Sequence, residues 1–460
     1  MKLYFDVEDK PKFGQLIVFA IQQLLAIMAA TLVVPVIVNG NIGLTGDDAM
    51  STAAALFGAG VGTLVYVLFT KAKSPVFLGS SFAFLGSMTA AFAGAVSVAV
   101  GYLGLIIGAF FAGLVYTVIA IIVKFVGVGW INKLMPAVVI GPTVAIIGLS
   151  LAGNAISDLQ KTNVEGGSPL IAILCGIIAL IVVTVCSTYG KKTLKLIPFI
   201  IGILSGFAVA AIFTLIGNAA DIDALKIADF SPLTNLVSDG VSINTFFTVP
   251  KFTFQTAIGG FKEIDASYIG TVAVAYIPVA FVVFAEHIAD HKNISSIIER
   301  DLLSSPGLHR TLLGDGIGSI AGAFFGGCPN TTYGESVACV AITRNASVVT
   351  IIAAAIGAIL ISFLSPFVAF VNAIPSCVMG GICMALYGFI AVSGLKMVQL
   401  VDLNENRNLF VVSTILIAGI GGLTVTFGKI TITSIATALI LGIIVNVILS
   451  GKKTAENTEE

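Results

Sequence analysis

Long apolar runs alternate with short polar breaks along this chain from about residue 13 to residue 450. A helix that crosses a bilayer needs about 20 mostly apolar residues, and on that ruler the pattern predicts roughly fourteen spans. Their centres fall near Ile27, Leu56, Phe92, Phe111, Val144, Ile177, Leu204, Ala275, Ile320, Val340, Ala355, Met384, Leu416 and Leu439. Two spans are short, the third following GSSFAFLGS (79–87) and the tenth following CPNTTYGES (328–336). Between Asn218 and Ala266 the pattern changes to Ser, Thr, Asn and β-branched residues without a 3.6-residue apolar face. That stretch reads as an extracytoplasmic linker (218–266) between two halves, 1–217 and 267–450, with a disordered polar tail over 451–460. Asn293 to Leu303 reads as a short amphipathic helix at the cytoplasmic face.

Seven spans per half is an odd number, so the second half enters the membrane upside down relative to the first, giving an inverted repeat. In each half the third span is the short one, and each is preceded by a polar Gly/Ser/Thr segment. Matching interrupted segments of this kind point to a transporter's binding site.

Composition agrees with the pattern. The chain is 57% hydrophobic and 10% charged, with a mean hydropathy of +1.06, against roughly 25% charged residues in a soluble domain. A net charge of -1 leaves no basic surplus for nucleic acid. Sorting the 23 basic residues among the loops puts all but Lys161, Lys226, Lys251, Lys262 and Lys429 on one side. Cytoplasmic loops carry excess Lys and Arg, so both termini are expected in the cytoplasm. The six cysteines show no CxxC spacing and read as packing residues, Cys328 being the one candidate for a cavity wall. No metal, cofactor, or catalytic nucleophile and base is expected.

The acids near or within apolar spans are Glu286, Asp290, Asp315 and Glu335. Pro278, Val282, Glu286 and Asp290 recur at i, i+4, so they share one helix face, which should turn away from lipid. The plainer reading is that Glu286 only ends its helix beside His287, His291 and Lys292. Glu335 opens a half-helix, where free N–H groups and the dipole favour an anion. It is either a cap or, with Asn330 and Tyr333, part of a ligand site. Asp315 reads as a structural cap, and the glycines of GDGIGSIAGAFFGG as close helix packing rather than a phosphate loop. Carboxylates accept hydrogen bonds and half-helix N–H groups donate them. A planar neutral ligand with N–H donors and C=O acceptors on its edges complements that set, and Phe82, Phe84, Tyr333 or Tyr387 can cover its faces. A nucleobase fits this description, and a carboxylate beside it offers a proton-exchanging group for coupling.

These residues resemble a known family, the nucleobase-ascorbate transporters (nucleobase-cation symporter family two), and within it the uracil branch. The resemblance covers essentially the whole chain. It is most specific in FAEHIADH (284–291), DLLSSPGLHRTLLGDG (301–316) and GGCPNTTYGES (326–336), with weaker echoes in QQLLAIMAATLVVP (22–35), GSSFAF (79–84) and IPSCVMGGICMALYG (374–388).

The resemblance implies an all-α membrane protein with fourteen spans in a seven-plus-seven inverted repeat. Spans 1–4 and 8–11 would form a core domain, spans 5–7 and 12–14 a gate domain, and spans 3 and 10 would begin as short antiparallel strands. It implies uracil import by proton symport through an elevator-like motion, within a homodimer in the lipid of the cytoplasmic (inner) membrane. Glu286 and Glu335 would accept from the ring nitrogens, and the N–H groups of Phe82 and Gly334 would donate to the carbonyls. Ala30, Tyr333 and Tyr387 would shape the pocket, and Glu286, Asp290 and His291 would handle the proton. Asp290 stands where the uracil branch commonly has His; Gln23, Ser336 and Ala338 also depart from the family pattern. Glu335 favours uracil, since purine-transporting relatives usually carry Gln there. The alternatives are another nucleobase (xanthine, urate or thymine) and, further off, an anion carrier of the related sulfate-transporter fold.

Overall fold

The computed structural model describes residues 3–127, 129–130, 136–191, 194, 197–238, 240–427 and 430–450. The tail expected to be disordered, 451–460, lies outside the described residues. The first helices are α1 (Phe13–Ile42), α2 (Thr52–Phe69), α3 (Leu85–Ala93) and α4 (Val98–Val126). Next come α5 (Ala137–Ser150), α6 (Ala152–Gln160), α7 (Pro169–Tyr189) and α8 (Pro198–Ala220). Three short turns of helix follow: α9 (Ser231–Thr234), α10 (Ile243–Phe246) and α11 (Thr253–Ala257). The second half holds α12 (Ala266–Ile298), α13 (Leu308–Gly326), α14 (Gly334–Thr343), α15 (Val348–Ile361) and α16 (Ser365–Asn372). It ends with α17 (Ser376–Val398), α18 (Asn406–Ile420) and α19 (Ser434–Ser450).

Eight stretches among the described residues are long and apolar enough to cross a membrane, including α1, α4, α7, α8, α12 and α17. Shorter apolar helices accompany them, α14, α15, α18 and α19 among these. The helices begin where caps or prolines allow. Ser51 Oγ accepts from Ala54 N at 3.1 Å, Asp265 Oδ1 accepts from Tyr268 N at 2.6 Å, and Pro169 and Pro198 occupy first-turn positions. Large apolar side chains of α4 stay exposed, Phe110, Leu114, Val118, Ile121 and Phe125 along one side. Such a stripe is a lipid-facing surface in a chain this apolar.

Contacts concentrate in two groups of helices. The first joins α1–α4 with α12–α15, and the second joins α5–α8 with α17–α19. In the first, α2 lies against α13 so closely that a Cβ on Gly58 would come 2.6 Å from Gly322 O, and one on Gly62 2.7 Å from Gly318 O. Small residues permit that backbone approach, which van der Waals packing then stabilises.

Two short strands meet at the centre of this group. Strand β1 (Leu78–Ser80) pairs antiparallel with β2 (Asn330–Thr332), Gly79 opposite Thr331. A second pair, β3 (Val425–Phe427) and β4 (Ile430–Ile432), sits between α18 and α19. Buried side chains bond the strand pair to α2. Thr63 Oγ1 accepts from Leu78 N at 3.0 Å, and Asn330 Nδ2 donates to Gly58 O at 2.9 Å.

One expectation changes. Asn293 to Leu303 is not a separate amphipathic helix: α12 continues without a break to Ile298 and stops at Glu299, whose φ of 54° is left-handed. Buried Ile294 and Ile298 keep that last stretch packed, so nothing at Asn293 ends it. Among its described residues the linker 218–266 holds only short turns of helix between the end of α8 and the start of α12. It carries α9, α10 and α11, and Phe247 bridges to Leu364 beside α16.

Candidate functional site

A cavity of about 500 Å³ lies between the two helix groups, inside the range of roughly 300–1,000 Å³ usual for small-molecule sites. Its wall includes Phe82, Glu286, Asp290, Tyr333, Gly334 and Glu335. Six of the nine residues expected at the site therefore share one space.

Local sequence explains how the floor is made. Gly327, at φ 74°, ends α13, and the chain extends through β2 before α14 starts at Gly334. No side chain caps that start. The start of α14 at Gly334 therefore lies at the cavity without a capping side chain, with Glu335 in the same turn. A Cβ on Gly334 would meet nothing within 4 Å, so the backbone is open to a ligand there. On the other strand, β1 leads into a 3₁₀ turn over Phe82–Phe84 and then α3, again without a side-chain cap. Two uncapped helix starts, from distant parts of the sequence, face one cavity.

The two strands also fix Tyr333. Its hydroxyl donates to Ser80 O at 2.6 Å, and its ring lies over Gly79, where a Cβ would come 2.8 Å from Cδ2 and closer still to other ring atoms. Behind Glu335, Ser336 Oγ accepts from Gln23 Nε2 at 2.5 Å and from Phe77 N at 2.9 Å. Two of the positions departing from the family pattern thus meet each other.

Helix α12 splits its polar residues between two sides. Glu286 and Asp290 line the cavity, and Thr332 Oγ1 donates to Asp290 Oδ2 at 2.9 Å. His287 and His291 turn to α13 and α2 instead. His287 Nδ1 lies 2.7 Å from Asp315 Oδ2 and Nε2 3.0 Å from Thr311 Oγ1; His291 Nε2 lies 2.7 Å from Tyr66 OH. All these groups are buried. They join α2, α12 and α13 rather than facing the cavity.

The remaining expectations lie off the wall. His291 is in that buried network. Ala30 is buried one turn beyond Ala26, which does line the cavity. Tyr387 lines a smaller space of about 180 Å³ beside Gly148 and Met384, its ring centroid 6.1 Å from that of Phe82. Phe84 stacks on Tyr276 at 5.4 Å and 22°, so it is not available to cover a ligand. Cys328 is buried and on neither cavity wall.

Several wall residues escaped sequence reasoning. Thr332 gave no signal of its own inside NTT. Leu386, Phe389, Ile390, Ser393, Lys396 and Met397 line the cavity from α17. Their i, i+3, i+4 spacing ending in Ser and Lys was available as a signal. Lys396 is the one basic residue on the wall, against three carboxylates.

The fold and site define a mostly helical, polytopic integral membrane protein with a transporter fold. The chain belongs to the Permease family, whose family model matches residues 14–428. It is 36% identical over 463 residues to the uracil permease of Bacillus caldolyticus, covering 100% of this chain and 98% of that protein. It is 34% identical over 468 residues to the uracil permease of Bacillus subtilis (strain 168), covering 100% and 98%. The transmembrane domain of the cyanobacterial bicarbonate transporter BicA has the same fold, with a TM-score of 0.61, 14% identity, and 96% of this chain and 100% of that one covered. The family resemblance read from the sequence motifs is thereby borne out.

Proposed function

We propose that this protein imports uracil together with protons. The observation that carries the reading is the single cavity in which the uncapped starts of α14 and the Phe82 turn face Glu286 and Glu335. Uracil is a planar ring with two N–H donors and two carbonyl acceptors. Glu286 and Glu335 accept from its nitrogens, and the N–H groups of Phe82 and Gly334 donate to its oxygens. Phe82 and Tyr333 pack on the ring, and Ala30 and Tyr387 support the pocket from behind. Glu286 and Asp290 carry the coupled proton, with His291 behind them on the same helix. The names of the similar uracil permeases support this substrate.

The architecture belongs to the same proposal. Fourteen spans form two inverted repeats, 1–217 and 267–450, joined by the linker 218–266. Spans 1–4 and 8–11 make the core domain and spans 5–7 and 12–14 the gate. The two contact groups of helices and the antiparallel meeting of β1 with β2, each ahead of a short helix, support it. The core slides against the gate in an elevator-like motion, within a homodimer in the cytoplasmic membrane, both termini inside. The cavity runs toward Asn293, Ile342 and Lys396. The basic-residue count assigns that side to the cytoplasm, so this is an inward-facing state.

Radiolabelled uracil uptake into proteoliposomes tests the reading. Uptake is expected to rise with an inward proton gradient and to be blocked by excess uracil but not by xanthine. Uptake indifferent to the gradient would end the symport claim, and equal competition by xanthine the pyrimidine claim. An anion carrier has the BicA-like fold in its favour, but three carboxylates on the wall oppose it.

A further inference from the structure

Residues 4–9, ahead of the first helix, are bound into the structure by more contacts than an entry segment requires. Tyr4 N donates to Arg344 O at 2.8 Å, Ala346 N to Phe5 O at 2.9 Å and Val348 N to Val7 O at 3.1 Å. Phe5 and Asn345 form a parallel bridge, and Ser347 Oγ donates to Asp9 O at 2.6 Å. Val7 is 1% exposed, and the Phe5 ring meets Phe19 of α1 edge-on at 5.9 Å. On the other side, Arg300 just past α12 donates to Asp6 Oδ2 at 2.6 Å and reaches Glu8 Oε1 at 3.4 Å. One six-residue segment therefore ties together α1, the end of α12 and the turn between α14 and α15.

The turn is what matters for the site. Helix α14 has only ten residues, starts without a side-chain cap, and ends at Arg344, whose φ of 56° is left-handed. An isolated helix this short is marginal, so its position depends on what holds it from outside. Its start presents Gly334 and Glu335, and its last turn brings Ile342 to the same cavity. Its far end is fastened by residues 4–9.

We propose that residues 4–9 are a positioning strap for α14, with Val7 as its plug and Arg300 as its outer anchor. The strap holds the half-helix at the depth and angle at which Gly334 and Glu335 meet the ligand. None of its residues touches the cavity, so it acts on the site only through the helices it holds, and α14 is the one whose end it fastens directly. The transport readout rests on the uracil reading above; the structural readout does not.

The test uses the full-length protein with two kinds of variant. Val7→Asp puts a charge in the plug position, and Arg300→Glu, alone or with Asp6→Arg, breaks and then restores the outer anchor. Amide hydrogen exchange over 334–343 and uracil uptake kinetics are measured on each. Val7→Asp is expected to raise exchange in 334–343 but not in α13, and to raise KM about fivefold or more while Vmax per molecule stays within about twofold. Arg300→Glu moves both readouts the same way by less, since its ion pairs are half-exposed. Adding Asp6→Arg brings both back. The proposal is overturned if residues 4–9 exchange freely while 334–343 keep wild-type protection and KM, or if all helices lose protection together. If the wild-type protein takes up no uracil, the transport reading fails and the exchange data still decide on the strap.

Discussion

Glu335 carries the heaviest demand in the proposed site, because it is placed where a ligand must supply what the helix lacks. Glu335→Gln keeps the shape but turns one acceptor oxygen into a donor. Leaving a ring N–H without a charged partner costs roughly 1.5–3 kcal/mol, so uracil affinity should fall at least about tenfold. Equilibrium binding to the purified variant checks this, and unchanged affinity removes Glu335 from the site. Glu286, Asp290 and Glu335 were legible because an acid in a run of apolar residues has few reasons to be there. Thr332 and Lys396 were not. Thr332 is one of two threonines in a row, and only the pairing of β2 decides which one turns toward Asp290. Lys396 looked like an ordinary interfacial lysine at a helix end, and its place on the wall depends on how α17 packs against its neighbours. His291, adjacent to Asp290, shows how far placement can differ between neighbours in sequence. One step along a helix turns a side chain by about 100°, enough to carry it from the cavity to the Tyr66 network.

At the scale of elements, the proposed site rests on the short half-helices and the strands before them. Gly79 is where they are least tolerant, because the Tyr333 ring fills the place of any side chain there. Gly79→Val should push that ring toward the cavity, at a cost of roughly 1–3 kcal/mol of overpacking. The expected outcome is a folded protein with lower thermal stability and a uracil KM raised about tenfold. Wild-type kinetics in that variant would mean that the ring is free to move aside without consequence. Each of the helix centres read from the sequence falls inside a described helix, since apolar runs of that length have few alternatives. Ends were harder. The separate amphipathic helix expected from Asn293 is overridden by the packing of Ile294 and Ile298, and α1, α5 and α12 each run through an internal proline. In a membrane neighbouring helices can re-satisfy the freed carbonyls, so proline alone does not locate a boundary there.

For the whole molecule the main consequence is sidedness. The cavity continues from Glu286 past Asp290 to Asn293 along α12, and past Ser393 to Lys396 along α17. A cysteine at Asn293, in a background without native cysteines, should react with a thiol reagent applied to the cytoplasmic side, and uracil should slow that reaction severalfold. Labelling from the outside only would reverse the orientation given by the basic residues. The grouping of helices α1–α4 with α12–α15 could not be read from apolar runs, because those report depth in the membrane and not neighbours. It follows from glycine faces such as Gly58 and Gly62 against Gly322 and Gly318, which are visible as composition but not as pairs.

The pairing of Gly79 with Thr331 also bears on how the protein comes to exist. The two strands are roughly 250 residues apart, and closing so long a loop makes their contact late by nature. Until β2 arrives, β1 lies at membrane depth without the strand partner for its remaining peptide groups, Leu78 alone being met by Thr63. A ribosome that has released the first half into the bilayer has therefore delivered a fragment with an open seam. Truncations after the linker should be bound by insertion chaperones or degraded. Quality control in the cell would then read completion of the chain at the same seam that borders the proposed ligand site.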